Sequence, residues 1–458
     1  MTLRTALCLI GLCAGPLAAP AAAQSVHGCS DLGGTGRWAS VEGAGGVFYR
    51  IDPDLLMAQP FSDDTVTALA ALSRALAAQG TRLIYVPLPT RSLAMPEALP
   101  PEARDLGYDA TLAATLYDDM LARLAAAGVT AVNARAALRG GADAAPSFFA
   151  TDPRLTAAGA RRAAEAIAGT MATLPGLADL PRARFETRAA SAQRLPSQMR
   201  VALQRHCLIP LPEVETETFV TTRLDGGGTS GGNALPGTGT QARVALVGTE
   251  VSGDPAVNLA GFLSTATGLD VQSYAVTDGG AFAAISSYLT SRAFAEARPA
   301  VLVWANPVFE SLADHGDQPL RELIAAAGDT CRVALPAGPG AGPGVLVADL
   351  AGLDPGLPTM LLIDTGGAPA TAVTVEVRGP GTPARSRSVH RHNGQVPTGR
   401  FYVPLDGLWP EAAVPGTGAT ADIRLDVAFG TEPRVTACPQ MPARMPAQMP
   451  AQPPAGAP

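Results

Sequence analysis

Val244-Ala245-Leu246-Val247 is an unbroken apolar run, and the small turn residues Gly248-Thr249 follow it directly. Similar apolar runs occur at Leu83–Val86 and Ala300–Trp304, and Val271–Val276 also predicts a strand. A strand that is apolar on both faces must be covered on both sides, which is typical of a parallel sheet between two layers of helices. We therefore predict an α/β fold, a three-layer sandwich built around a parallel sheet.

Helical patterns separate these runs. Amphipathic spacing predicts helices over Thr65–Ala78 (capped by Asp63-Asp64), Asp109–Ala127, Thr156–Met171, Ala256–Ala266 and Ala281–Thr290, with a further short strand over Val129–Val132. The stretch after Met171 is predicted to be irregular, and the Gly-rich segment 225–240 to be a flexible surface insertion. Ligands of parallel sheets bind at the carboxyl ends of strands, so a site is expected in the loops after Val86, Val247, Tyr274 and Trp304.

The pattern changes after a Pro- and Gly-rich linker at residues 336–344. Short alternating runs rich in β-branched residues, separated by turn residues, predict a small β-sandwich. These runs are Leu361–Ile363, Ala372–Val377, Phe401–Val403 and Ile423–Ala428. We place an α/β domain at 24–330, the β-sandwich at 331–438 and a disordered Pro-rich tail at 439–458.

The N-terminal residues predict an export signal. Arg4 precedes the apolar run Thr5–Leu17, and Ala21-Ala22-Ala23 offers a small-residue cleavage site, so residues 1–23 are expected to be removed. The run is shorter than the roughly 20 residues that span a bilayer, and no later run reaches that length. We expect a soluble protein outside the cytoplasm, without a membrane span.

Cys8 and Cys13 would leave with the signal, so four cysteines remain: Cys29, Cys207, Cys331 and Cys438. An even number in an oxidising compartment predicts disulfides, and three pairings are possible. Nesting favours Cys29 with Cys207 and Cys331 with Cys438, because each pair then brackets one predicted domain. The spacing lacks the close pairs of a zinc site, and we expect no metal and no cofactor. The net charge of −7 argues against a nucleic-acid partner.

Several sequence blocks together carry a family resemblance. They are Gly45-Gly46-Val47-Phe48-Tyr49, then Ile84 to Arg91 (IYVPLPTR), then Phe149 to Ala160 (FATDPRLTAAGA), then Leu246 to Ser252 (LVGTEVS). The chain resembles the alginate O-acetylation proteins of the AlgX and AlgJ type. The resemblance is closer to the AlgX type, which has an SGNH-hydrolase-like domain, then a β-sandwich carbohydrate-binding module, with one disulfide in each. It implies a periplasmic protein of exopolysaccharide acetylation or secretion, with an acidic exopolysaccharide and other periplasmic proteins as partners.

The resemblance also locates a catalytic triad, and two of its three positions differ here. The family has Asp and His in a T-D-x-H-W block and the nucleophilic Ser in a G-T-S-x-S block. Asp152 keeps the Asp position, whereas Arg154 replaces the His and Glu250 replaces the Ser. A guanidinium with a pKa above about 12 cannot serve as the general base. We predict that the acyl-transfer site is degraded, and that Glu250 and Arg154 form an ion pair with Asp152 beside them.

Other residues could replace the missing groups. Ser252 matches the second Ser of the family block, where a role at a helix start is the alternative. The five histidines are His27, His206, His315, His390 and His392. Only His315 lies on a loop of the first domain late enough in the chain to approach the strand ends.

Further candidates lie around the predicted site and on the β-sandwich. Gly280 could support an oxyanion or form a turn, Asn306 could donate from its amide or cap a loop, and Arg91 could meet an acidic sugar or be structural. Arg400, Tyr402 and Trp409 are the predicted carbohydrate contacts, with Phe401 less favoured, because rings stack on sugars and Arg pairs with uronates. The favoured function is a polysaccharide-binding or scaffold protein. The alternatives are an active O-acetyltransferase or acetylesterase with a rearranged triad, and an export factor that does not contact sugar.

Overall fold

The computed structural model describes residues 25–57, 61–141, 144–226, 229–230, 232–234, 243–392, 394–410, 416 and 418–439. The predicted signal segment 1–23, much of the predicted insertion 225–240 and the tail after Pro439 lie outside these residues. Over the described ranges, no helix has the length and apolar character needed to cross a membrane.

The first three hundred or so residues form an α/β unit. Its strands are β1 Ser40–Glu42, β2 Phe48–Arg50, β3 Arg82–Leu88, β4 Phe185–Leu195, β5 Val214–Arg223, β6 Thr229–Ser230, β7 Val244–Gly248, β8 Val271–Ala275 and β9 Val301–Pro307. Its helices are α1 Ile51–Asp54, α2 Asp63–Ala78, α3 Arg91–Ala94, α4 Glu102–Asp105, α5 Ala110–Ala126, α6 Ala134–Arg139, α7 Ala157–Ala172, α8 Gln198–Gln204, α9 Glu250–Gly253, α10 Leu259–Thr267, α11 Ala283–Leu289, α12 Arg292–Glu296 and α13 Gln318–Ala327. Ser62, rather than Asp63, caps α2 by accepting a hydrogen bond from the Thr65 amide.

The central sheet has the strand order β3-β9-β7-β8, and all its pairs are parallel. Side chains alternate between its two faces, and helices bury both. Tyr85 and Trp304 belong to an apolar cluster with α2, α5 and α13, whereas Ile84 and Leu246 belong to another with α7 and α10. The predicted three-layer α/β architecture is confirmed.

The prediction of a strand at Val129–Val132 is wrong, because these residues form no strand in the structure. Only Ala131 forms a bridge, to Tyr85, beside the outer edge of β3. Asn133 caps α6 immediately afterwards, accepting a hydrogen bond from the Ala136 amide at 3.0 Å, so the extended segment is too short to become a strand.

The stretch predicted to be irregular instead contains a long antiparallel hairpin. β4 pairs with β5 from Phe185↔Arg223 to Leu195↔Val214, with a bulge after Ala189. The β-branched residues at every second position of β5 are the strand signal that our prediction missed, namely Val214, Thr216, Thr218, Val220 and Thr222. Part of the predicted insertion is also ordered, because β6 pairs with β5.

The C-terminal strands form two antiparallel sheets. They are β10 Val333–Ala334, β11 Ala337–Pro339, β12 Val345–Asp349, β13 Thr359–Asp364, β14 Ala372–Arg378, β15 Arg385–His390, β16 Arg400–Pro404, β17 Thr420–Leu425 and β18 Arg434–Pro439. Their orders are β10-β18-β13-β16 and β11-β12-β17-β14-β15, and alternate residues of both sheets form one apolar core. The predicted linker contains β11, and Pro439 ends β18 rather than starting the tail.

Both predicted disulfides are present, Cys29–Cys207 and Cys331–Cys438. The second joins the end of the α/β unit to the last strand of the sandwich. The two parts also share a buried interface, in which Glu322 on α13 forms a two-pronged ion pair with Arg391, at 2.6 and 2.7 Å. The sandwich is therefore held against the α/β unit by a covalent bond, an ion pair and apolar packing.

Candidate functional site

The predicted triad positions lie where the sheet's carboxyl edge meets the loop before α7. Asp152 is 3% exposed, and it accepts two hydrogen bonds from the Arg154 guanidinium, Nε to Oδ1 at 2.7 Å and Nη2 to Oδ2 at 3.0 Å. The Arg154 amide also donates to Oδ1 at 3.0 Å. Both carboxylate oxygens of Asp152 are therefore engaged by its neighbour two residues away.

Arg154 has two more partners outside its own loop. Nη2 donates to the carbonyl of Pro196 at 2.9 Å, and Nη1 lies 3.5 Å from a carboxylate oxygen of Asp254. Burial would lower the pKa of Arg154, but the hydrogen bonds and charges of Asp152 and Asp254 outweigh it and raise that pKa. The guanidinium is held as a cation.

The predicted ion pair between Glu250 and Arg154 is wrong. The ion pairs of Arg154 within the described ranges go to Asp152 and Asp254, and none goes to Glu250. Glu250 starts α9 directly after β7 and has an exposed side chain, whereas Asp254 lies just past the other end of that four-residue helix. Because Asp254 and the adjacent Asp152 already satisfy the guanidinium, no charge remains to draw Glu250 in.

Glu250 instead lies near a second carboxyl group. Burial raises the pKa of the half-buried Glu310, and the negative charge of Glu250 raises it further. At the position of the family nucleophile this chain thus has a carboxylate, Glu250, whose neighbour Glu310 is also an acid. Two acids of like charge replace the expected pair of a nucleophile and a base.

Ser252 is buried in α9. It is 3% exposed, and its Oγ has no hydrogen-bond partner within the part of the chain that is described. Its carbonyl accepts a hydrogen bond from Ser273 Oγ at 2.6 Å, which ties α9 to β8. These contacts favour the alternative that Ser252 is a structural residue of the short helix.

His315 lies at the interface with the sandwich. Its ring stands edge-on to Phe282, with centroids 5.3 Å apart, and is 6.1 Å from the ring of His392. Burial, followed by the nearby His392, lowers the pKa of His315. Across the described ranges, no hydrogen bond or ion pair joins any histidine to Asp152, Glu250 or Ser252.

Arg91 is 1% exposed, and its guanidinium donates to the carbonyls of Phe48, Asp152 and Ala150. Burial lowers the pKa of Arg91. This environment favours the structural alternative, because the side chain fixes the loop that carries Asp152 and offers no surface to a sugar.

Asn306 and Gly280 lie at the same edge of the sheet. Asn306 is 2% exposed, and its Nδ2 donates to the carbonyl of Glu310 at 3.0 Å and to Tyr85 Oη at 3.3 Å. The amide therefore caps the loop after β9, which was the second of its two predicted roles. Gly280 has a φ of +62°, a turn conformation that residues with a side chain disfavour. A Cβ atom at this position would lie 3.4 Å from a carboxylate oxygen of Glu310.

Another charged pair at this site was not predicted from the sequence. Arg50 contacts the buried Asp54 through Nε at 3.1 Å and Nη2 at 3.2 Å, and its guanidinium lies 5.4 Å from the Phe309 ring centre. Burial would raise the pKa of Asp54, but Arg50 and then Arg91 lower it. These residues and Glu250 line a small cavity of about 50 Å³.

Tyr402 does not have the exposed ring that we predicted for a carbohydrate contact. It is 3% exposed, and its backbone bonds Glu322 and Gln318 of α13, so its ring cannot stack on a sugar. Phe401 is 1% exposed in the sandwich core. Trp409 is half-buried against that core and keeps an accessible part.

Arg400 lies in a cleft between the two parts of the molecule. The cleft measures about 420 Å³, and Arg292 and Arg434 line it as well. The Arg400 Nε is 4.0 Å from an Asp364 oxygen, and Arg292 is 3.4 Å from the other oxygen of the same carboxylate. The cleft therefore combines three guanidinium groups with three carboxylates, those of Glu296, Asp364 and Glu432.

Residues 43–308 match the family model described as SGNH hydrolase-like domain, acetyltransferase AlgX. The chain belongs to the AlgX family. This AlgX-family chain is 32% identical over 236 residues to the alginate biosynthesis protein AlgX of Pseudomonas aeruginosa, covering 52% of this chain and 48% of that protein. It is 29% identical over 295 residues to the probable alginate O-acetylase AlgJ of the same organism, covering 60% and 74%. The matched region thus spans about half of the AlgX relative.

Solved structures agree on the fold of this AlgX-family chain. The structure of P. aeruginosa AlgX superposes with a TM-score of 0.69 at 20% identity, covering 92% of this chain and 98% of that one. The O-acetyltransferase domain of Pseudomonas putida AlgJ gives 0.50 at 24% identity, covering 62% and 98%. The predicted family and the SGNH-hydrolase-like fold followed by a β-rich domain are confirmed.

Proposed function

We propose that this AlgX-family chain is a non-catalytic component of an alginate-type exopolysaccharide acetylation or secretion system. It would act in the periplasm as a polysaccharide-binding or scaffold protein. The support for the pathway is the family membership and the functions assigned to the relatives by name, alginate biosynthesis protein and probable alginate O-acetylase.

The observation that carries the non-catalytic proposal is the arrangement of Arg154. A protonated guanidinium held by Asp152, Asp254 and the Pro196 carbonyl has no lone pair with which to accept a proton. Acyl transfer by a hydroxyl needs a base within hydrogen-bond reach of the nucleophile. Glu250 would form a mixed anhydride at most, and no imidazole adjoins it in the described ranges to complete turnover.

The rearranged triad has little support from the geometry. Ser252 Oγ is buried, and the described contacts of His315 are with Phe282 and His392. We therefore keep the binding function as the proposal, with Asp152 retained as the partner that orients Arg154.

A restoration experiment tests the non-catalytic proposal. Arg154→His with Glu250→Ser returns the family residues to both positions, and Asp254→Asn removes the carboxylate that would otherwise compete for the new imidazole. We expect this triple variant to release acetate from p-nitrophenyl acetate faster than wild-type protein, whereas wild-type protein should not exceed the rate of Asp152→Asn. Release by wild-type protein that Ser252→Ala or His315→Ala abolishes would contradict the proposal.

The binding half of the proposal is tested separately. We propose that Arg400, with Arg292 and Arg434, pairs with uronate carboxylates, which planar guanidinium groups bind in a two-pronged geometry. Native electrophoresis in gels containing alginate should show retardation that Arg400→Gln with Arg434→Gln reduces. Arg194→Gln on the exposed β4 is the matched control, and alginate should retard it as much as it retards wild type. Equal migration with and without alginate would contradict a sugar-binding role.

A further inference from the structure

A second cavity lies on the α5 side of the sheet and is separate from the small cavity beside Glu250. It measures about 350 Å³, and most of its wall is apolar, formed by side chains such as Met57, Phe61, Leu93, Met120 and Leu312. Pockets for small organic ligands occupy roughly 300 to 1,000 Å³ and have mainly apolar walls with a few fixed polar groups. The cavity therefore has the size and the lining of a small-molecule site.

One end of this cavity carries an acceptor with no donor. Asn306 lines it, and the amide is oriented because Nδ2 donates to the Glu310 carbonyl and to Tyr85 Oη. The opposite atom, Oδ1, is buried and has no hydrogen-bond partner in the part of the chain that is described. Buried polar atoms in native proteins are almost always paired, so an unpaired oxygen on a residue that lines a cavity points to a donor supplied from outside the chain.

The charged residues that line the cavity are one arginine and two acids. Arg123 and Asp119 both line it and lie 3.8 Å apart as an ion pair on α5. Glu310 also lines it, and burial together with Glu250 raises the pKa of that carboxyl and so favours its neutral form. The Arg123 charge is already engaged by Asp119 and, at 2.6 Å, by Asp63, so an anionic ligand would find no free cation in this lining, whereas an uncharged body suits the apolar wall.

We propose that this cavity binds a small uncharged ligand that has an apolar, aromatic or branched body and one hydroxyl or amine hydrogen donated to Asn306 Oδ1. The body lies against Met57, Phe61 and Met120, and the donor points toward β9. This site is separate from the polysaccharide surface around Arg400 and shares no lining residue with the small cavity beside Glu250.

Fluorescence titration with N-phenyl-1-naphthylamine tests the proposal, because this probe is uncharged, aromatic, carries one N–H and brightens in apolar surroundings. We expect saturable binding to the full chain with one probe per protein. Leu116, which lines the cavity from α5 and is 48% exposed, can be enlarged without disturbing the core. Leu116→Trp should fill the entrance and weaken binding about tenfold or more, as lost access to a buried site predicts.

Leu112 provides the matched control, because it lies one turn earlier on α5, is 46% exposed and does not line the cavity. Leu112→Trp should bind the probe like wild type. Absence of saturable binding to wild type, or equal binding by wild type and Leu116→Trp, overturns the proposal, and so does equal loss in the two tryptophan variants.

The donor is tested on unaltered protein. The ether 1-phenoxynaphthalene has nearly the same shape as the probe but lacks the N–H. Its affinity, measured by displacement of the probe, should be about tenfold lower than that of the probe, because one hydrogen bond contributes about that much. Equal affinity of the protein for the ether and for the probe overturns the assignment of Asn306 Oδ1 as the acceptor.

Discussion

The buried ion pair between Glu322 and Arg391 should hold the β-sandwich against the α/β unit. The two side chains are 3% and 4% exposed, and Glu322 also accepts a hydrogen bond from the Tyr402 amide at 3.3 Å. Glu322→Gln leaves the Arg391 charge buried without a counter-charge. Removing one partner of a buried pair costs about 3 to 5 kcal/mol, so we expect the free energy of unfolding to fall by that amount.

Urea denaturation followed by circular dichroism at pH 7 measures this loss. The double change Glu322→Leu with Arg391→Met removes both charges, so this variant should be more stable than Glu322→Leu alone. Glu215→Gln breaks an exposed pair with Arg194, in which the side chains are 65% and 66% exposed, and should leave stability unchanged. A loss below about 1 kcal/mol for Glu322→Gln, within the range of surface pairs, would refute this account of the interface.

Three further predictions concern other buried contacts. Arg91→Met orphans the Phe48 and Asp152 carbonyls and should lower the free energy of unfolding by about 2 kcal/mol or more, measured by urea titration; unchanged stability would contradict the structural role. Glu310→Gln should stabilise the protein at pH 7. The pKa of Glu310 is higher in the folded protein than in the unfolded chain, where it is near 4.5, so ionising this carboxyl lowers stability as the pH rises above that value. The gain from the substitution should therefore vanish below pH 4.5, and a gain independent of pH would contradict the prediction. Replacing Cys331 and Cys438 by Ala opens a loop with a sequence separation of 107 and should cost about 4 to 5 kcal/mol, and thermal unfolding that does not shift would contradict it.

Local patterns were sufficient for the central elements of the fold. The apolar runs at Val244–Gly248 and Val301–Pro307 became neighbouring strands because a segment without a polar face has no stable place except inside a covered sheet. The hairpin of β4 and β5 was missed because β4 is largely exposed and rich in Ala, Ser and Arg, so it lacks the apolar alternation that marks a half-buried strand.

The sequence was sufficient to predict which residues occupy the site. It was not sufficient to predict which ion-pair and hydrogen-bond partners they have, because those partners depend on tertiary structure. Alignment located Asp152, Arg154 and Glu250, but Arg154 pairs with Asp254 because α9 is only one turn long and brings that carboxylate alongside. The sequence predicted an exposed ring at Tyr402 because an aromatic near an Arg is common to sugar sites and to interfaces. Only the position of α13 against β16 distinguishes the two.

The most direct test of the non-catalytic claim is intact-protein mass spectrometry after incubation with p-nitrophenyl acetate, followed by peptide mapping. The account predicts no acetyl adduct on Glu250 or Ser252 in wild-type protein. It also predicts p-nitrophenol release equal to that of the heat-unfolded chain. A stoichiometric acetyl group on either residue that turns over with time would contradict it.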